Sequence, residues 1–121
     1  MEYKITGKRN DIAQISSDEI IIKDTQSALD LIATVHYETD CEKLIVNKEN
    51  IAEEFFILST GIAGEILQKF INYRKKIAIV GDFSKYTSKP LKDFIFESNK
   101  GNSIFFVPTL EEAVRKLDSA E

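Results

Sequence analysis

The chain has 121 residues, 43% of them hydrophobic and 30% charged, with five glycines, two prolines and a formal net charge of −4. One globular domain spanning 1–121 is expected, and disordered, collagen-like and low-complexity readings are excluded. No apolar run approaches the roughly 20 residues that span a bilayer. The acidic balance argues against a nucleic-acid surface.

Taken in order, Tyr3–Ile5 and Asp11–Ile15 alternate in the strand manner around a turn at Gly7–Asn10, which reads as a hairpin. Ile20–Ile22 is a short apolar connector or strand extension. A helix starts after Asp24 or Thr25, either of which can cap it, and places Ala28, Leu29, Leu31, Ile32, Ala33 and Val35 at helical spacing. Lys43–Asn47 is a buried parallel strand. Asn50-Ile51-Ala52-Glu53 has capping-box spacing and opens one helical turn, and Phe55, Phe56, Ile57 and Leu58 are assigned to the core.

A second helix begins near Ser59 or Thr60, with a stripe of Ile62, Ile66, Phe70 and Tyr73 flanked by Ala63, Leu67 and Ile71. Its basic end, Arg74-Lys75-Lys76, suits the helix dipole and reads as a solvated terminus. Lys76–Val80 is the fourth strand, stopped by Gly81-Asp82. Ser88 caps a third helix with Pro90 in its first turn and Leu91, Phe94 and Ile95 on its apolar face; Asn99-Lys100-Gly101 stops it. Ser103–Val107 is the fifth strand, and Thr109-Leu110-Glu111-Glu112 opens the last helix. The order β-β-α-β-α-β-α-β-α predicts an α/β domain with a mixed sheet. Strands two to five run parallel through right-handed crossovers, and strand one is antiparallel to strand two.

Active sites of open α/β sheets lie at the carboxyl ends of the strands. Two segments there carry most of the chemistry. Ser59-Thr60-Gly61 offers two hydroxyls and a glycine at a helix start, where free N–H groups can hold an anion. A plain hydroxyl cap explains the same residues. Gly81–Ser88 is long for a strand-to-helix loop and offers Asp82 as a base or ligand contact, Lys85 for an anion, and the hydroxyls of Ser84 and Tyr86. No glycine-rich phosphate fingerprint is present. His36, the single histidine, lies near the end of the first helix and away from this edge. It reads as a helix-end residue, and a two-histidine metal site is excluded. Cys41 sits between acids that raise a thiol pKa, so it is not read as a nucleophile, and as the only cysteine it can form no internal disulfide. No catalytic set, metal or cofactor is expected. With no apolar leader in MEYKITGKRN, a reducing cytoplasm is the expected location.

The order of elements and the segment Phe56-Ile57-Leu58-Ser59-Thr60-Gly61-Ile62-Ala63-Gly64 resemble the STAS domains of bacterial anti-sigma-factor antagonists. In that family the motif Asp-Ser-Ser/Thr-Gly precedes a helix, and its hydroxyl is phosphorylated by a partner kinase. Thr60 matches the acceptor position and Gly61 the glycine, while Leu58 stands where the family has its aspartate. Thr60–Phe70 and Ala78–Tyr86 are similar to bacterial proteins of the domain of unknown function family 4180, which carries no activity to transfer. The resemblance implies a regulatory or protein-interaction module switched at Ser59-Thr60-Gly61, with a regulatory protein partner. The alternative is a small-molecule or anion-binding domain, or an enzyme, using Gly81–Ser88. No nucleic acid or membrane partner is expected, and the sequence leaves the oligomeric state open.

Overall fold

The computed structural model describes residues 1–120. The elements are β1 (Glu2–Thr6), β2 (Ile12–Ser16), α1 (Thr25–Thr39), β3 (Lys43–Asn47), α2 (Ile62–Asn72), β4 (Lys76–Val80), α3 (Lys89–Lys100), β5 (Ile104–Val107) and α4 (Leu110–Ser119). Three short 3-10 turns, Lys48–Asn50, Glu53–Phe56 and Leu58–Thr60, fill the path from β3 to α2. The sheet order is β1-β2-β3-β4-β5, with β1 antiparallel to β2 and the other pairs parallel. The α/β class and strand directions agree with the sequence reading, and β5 begins one residue later, at Ile104.

Alternation within each strand sorts the core into two layers. Ala13, Ile15, Leu44, Val46, Ile77, Ile79 and Phe106 meet the buried faces of α1, α2 and Leu91 of α3. Their neighbours Ile12, Ile45, Ala78, Phe105 and Val107 meet Ala113 and Leu117 of α4 on the other side. Three helices therefore cover one face and a single helix covers part of the other. The hairpin turn needs Gly7: its φ is +92°, and a Cβ there would lie 2.7 Å from Ile12 Cδ1.

Local signals set most helix starts. Asp24 accepts from Ser27 N–H in a capping box, Ser88 from Leu91 N–H and Thr109 from Glu112 N–H. The path from β3 to α2 departs from expectation. Asn50 caps nothing; it is buried, and its Nδ2 donates to the carbonyls of Ser17 and Glu19, both at 2.8 Å. The same residue's carbonyl accepts from Ile21 and Ile22, and Ile22 bridges Ile51, so Ile20–Ile22 is a connector stitched to the exit of β3. Phe55 and Phe56 enter the core, but Ile57 is 51% exposed and Leu58 only half-buried. On α2, Ala63, Ile66, Leu67 and Phe70 are buried while Ile71, and Tyr73 at the C-cap, face solvent. Cys41 is buried in the main core.

A ligand crevice in a doubly wound sheet opens where the strand order reverses and successive helices part to opposite faces. From β2 to β5 the order never reverses, and α1, α2 and α3 stay on one face. The carboxyl edge is consequently roofed by the turns and the β4–α3 loop rather than split.

Candidate functional site

At that edge β3 delivers Lys48 and β4 delivers Gly81 side by side. Gly81 is anchored by its N–H to Val107 O, and a Cβ on it would fall 2.6 Å from Lys48 Cβ. The glycine thus lets the Lys48 stem lie across the end of β4. Its ammonium then sits 5.5 Å from the Phe56 ring centroid and 5.2 Å from that of Tyr86. The two rings stack at 5.2 Å with an interplanar angle of 18°. Phe83 extends the aromatic set to Phe106.

The polar groups of this edge largely satisfy one another. Tyr86 Oη donates to Glu53 Oε2 at 2.7 Å, and Lys85 Nζ lies 3.6 Å from Glu53 Oε1 and over the Tyr86 ring. The tyrosine's hydrogen bond, helped by Lys85 and Lys48, holds the Glu53 carboxyl below its usual range. Partial burial and the adjacent Glu53 carboxylate push the Tyr86 phenol far above its own. Asp82 accepts the Ser84 N–H at 2.9 Å, and hydrogen bonds from Ser84 lower its pKa. A carboxylate lowered and a phenol raised are both displaced away from neutrality. This cluster is therefore not poised for general acid–base work near pH 7.

Of the residues singled out in the sequence, Lys85 and Tyr86 come together, whereas Asp82 and Ser84 form a local turn beside them. Glu53, Lys48 and Phe56 complete the cluster, a role no motif marked; Glu53 read as part of a capping box, and it lies 33 positions from Tyr86, too far for any spacing rule. Ser59 and Thr60 are exposed on the last 3-10 turn. Neither is the N-cap of α2. That position belongs to Gly61, at φ +77°, which has no side chain to cap with. Thr60 acts one step earlier: its Oγ1 donates to Ile57 O at 2.8 Å or Glu54 O at 3.2 Å and accepts the Ile62 N–H at 3.2 Å. Its hydroxyl is thus engaged, while that of Ser59 has no partner among the described residues. Phe56–Ser59 and Lys85–Ser88, with Pro90 and Leu91, face each other across an open hollow of about 380 Å³. Among the described residues no group of three His, Cys, Asp or Glu could hold a metal ion. No helix there is long and apolar enough to cross a membrane.

These features define an α/β protein with a sequentially ordered sheet whose carboxyl edge carries a self-paired aromatic and charged cluster. The chain belongs to the family described as Domain of unknown function (DUF4180), whose profile matches residues 7–117. Neither the curated proteins nor the solved structures contain a significant match to it.

Proposed function

We propose that the chain is a STAS-like regulatory module of the cytoplasm, not an enzyme, which docks a protein partner through the rim formed by Ile57–Thr60 and Lys85–Ser88. The observation that carries this reading is Ile57. It is an isoleucine flanked by buried Phe56 and half-buried Leu58, yet it is 51% exposed beside two exposed hydroxyls. The charged groups nearby are largely paired among themselves, which supports a surface for docking over a pocket for catalysis. Ser59 is the better phosphate acceptor of the two hydroxyls, because Thr60 spends its hydroxyl on the turn. A phosphate on Ser59 would add about −1.5 to −2 charge at the rim.

The test is affinity capture from the native host's extract with the wild-type chain, Ile57→Asp and Ser59→Glu. Proteins retained by the wild type and lost with Ile57→Asp are expected, with altered retention by Ser59→Glu. The same set retained by all three, or none by the wild type, would overturn the reading. The hollow itself favours a second reading. At about 380 Å³ it is large enough for a small ligand held by Lys85, Thr87 and Ser88. Saturable shifts of the Lys85–Ser88 amide resonances on titration with inorganic phosphate would establish that reading.

A further inference from the structure

A broad concavity lies at the opposite edge of the sheet, where α1 runs past the junction of α2 and β4. It holds about 790 Å³ and is lined by Leu29, Ile32, Ala33 and Tyr73 together with His36, Arg74, Lys75 and the carboxylates of Asp30 and Glu42. We propose that this groove binds a small apolar carboxylate, its acid group held by Arg74 and His36 and its body lying on Leu29, Ile32, Ala33 and Tyr73.

The polar end is built around Lys75. In the sequence it belongs to a basic helix end, but in the fold its side chain is 6% exposed. The Lys75 ammonium lies 3.2 Å from His36 Nδ1 and 3.3 Å from Glu42 Oε1. An ammonium offers donors only, so Nδ1 must accept and the ring proton resides on Nε2. Asp40 Oδ1, at 3.9 Å from the same Nδ1, would need that nitrogen protonated. The Asp40 side chain is largely in solvent and the lysine is the closer group, so Lys75 sets the tautomer. His36 is thereby fixed as an N–H donor at Nε2.

Arg74 supplies the charge. Its φ is +59°, a left-handed conformation at the residue after the α2 cap, where glycine is the ordinary choice. Arginine stands there against that steric preference. Its side chain makes no hydrogen bond or ion pair with the described residues, although it lines the groove. The acidic groups at the groove are Glu42, which pairs with Lys75, Asp30, which accepts from Gln26 Nε2 at 2.9 Å, and Asp40, whose largely solvated Oδ1 lies 3.9 Å from His36 Nδ1. Asp30 lines both this groove and the neighbouring hollow with Ser27, Leu31 and Thr34. One unpaired planar guanidinium beside one neutral imidazole donor suits a single carboxylate. The acids at the groove repel a dianionic phosphate about twice as strongly as a monoanionic carboxylate. The apolar lining and the volume suit a body of medium-chain or aromatic size.

Because the chain has a single histidine, its imidazole ¹⁵N signals read this site alone. Octanoate is the probe, with octanol and octyltrimethylammonium as controls that share its tail. Octanoate is expected to shift the Nε2 signal saturably and to raise the melting temperature. Arg74→Gly fits the φ of +59° and so preserves the fold. It is expected to weaken octanoate by about ten-fold or more while leaving octanol unaffected, since a charge-assisted bidentate contact is lost. Ala33→Trp, placed on an exposed helix position in the groove wall, should weaken both. The proposal fails if millimolar octanoate gives no saturable shift. It fails equally if octyltrimethylammonium binds as well as octanoate, or if Arg74→Gly leaves octanoate affinity unchanged.

Discussion

Replacing Asn50 by alanine should destabilise the chain by about 2 kcal/mol. The side chain is 4% exposed, and its amide donates two hydrogen bonds of 2.8 Å to Ser17 O and Glu19 O. Each such bond contributes about 1 kcal/mol net. Both acceptors lie in a surface segment, Ser17 half-buried and Glu19 exposed, so water can replace the lost donors and no large desolvation penalty is added. Asn50→Asp is the sharper perturbation. At pH 7 it sets a carboxylate oxygen against two carbonyl oxygens and should cost about 1–3 kcal/mol more than alanine. Urea unfolding followed by far-UV circular dichroism measures both. With the slope typical of a small domain, the alanine variant's midpoint should fall by about 1 M with the slope unchanged. An unmoved midpoint in Asn50→Ala would refute the reasoning, as would Asn50→Asp being as stable as wild type at pH 7.

Gly81→Ala should cost about 1–3 kcal/mol by overpacking, since the new Cβ meets the stem of Lys48, not its flexible end, at 2.6 Å; equal urea midpoints would contradict this. Tyr86→Phe keeps the ring stack on Phe56 but removes the hydrogen bond to Glu53. The depressed Glu53 pKa gives stability that is present above about its unfolded value of 4.5 and is lost as pH falls through the folded value. The raised Tyr86 pKa gives stability present below the unfolded value of 10.0 and lost progressively as pH rises beyond it. Wild type should therefore exceed Tyr86→Phe between those limits and converge on it at both extremes, and a pH-independent difference in unfolding free energy would be the wrong outcome. Thr60→Ala should cost about 1 kcal/mol in thermal or urea unfolding while Thr60→Ser retains most of it, because the hydroxyl alone bridges the turn to Ile62.

Where a signal is local, the sequence carries it in full. β3 and β4 occupy the residues that the apolar runs mark, because buried parallel strands must be continuously hydrophobic. Asp24, Ser88 and Thr109 cap their helices because a cap is decided within three residues. The strand directions follow from the element order and the handedness of crossovers. Ser59, Thr60, Lys85 and Tyr86 were legible as polar groups in the loops at one edge, although Tyr86 is half-buried in the fold.

The roles of Asn50, Glu53, Ile57 and Lys75 were not legible. Asn50 and Glu53 have the spacing of a capping box, yet each is claimed by a partner 31 or 33 residues away. Lys75 follows a helix as a solvated cation would, until the fold brings His36, 39 residues distant, against its ammonium. Ile57 reads as core, and it faces solvent because three consecutive 3-10 turns rotate the chain out of step with the sheet. Periodicity and capping are governed by hydrogen bonds and apolar faces within one or two turns, so the sequence determined the elements, their order and their directions by itself. Which polar group is buried, and against what, depends on desolvation costs that arise only once distant segments meet. Only the tertiary structure decided that the candidate edge is closed on itself and that a broad groove lies beside Lys75.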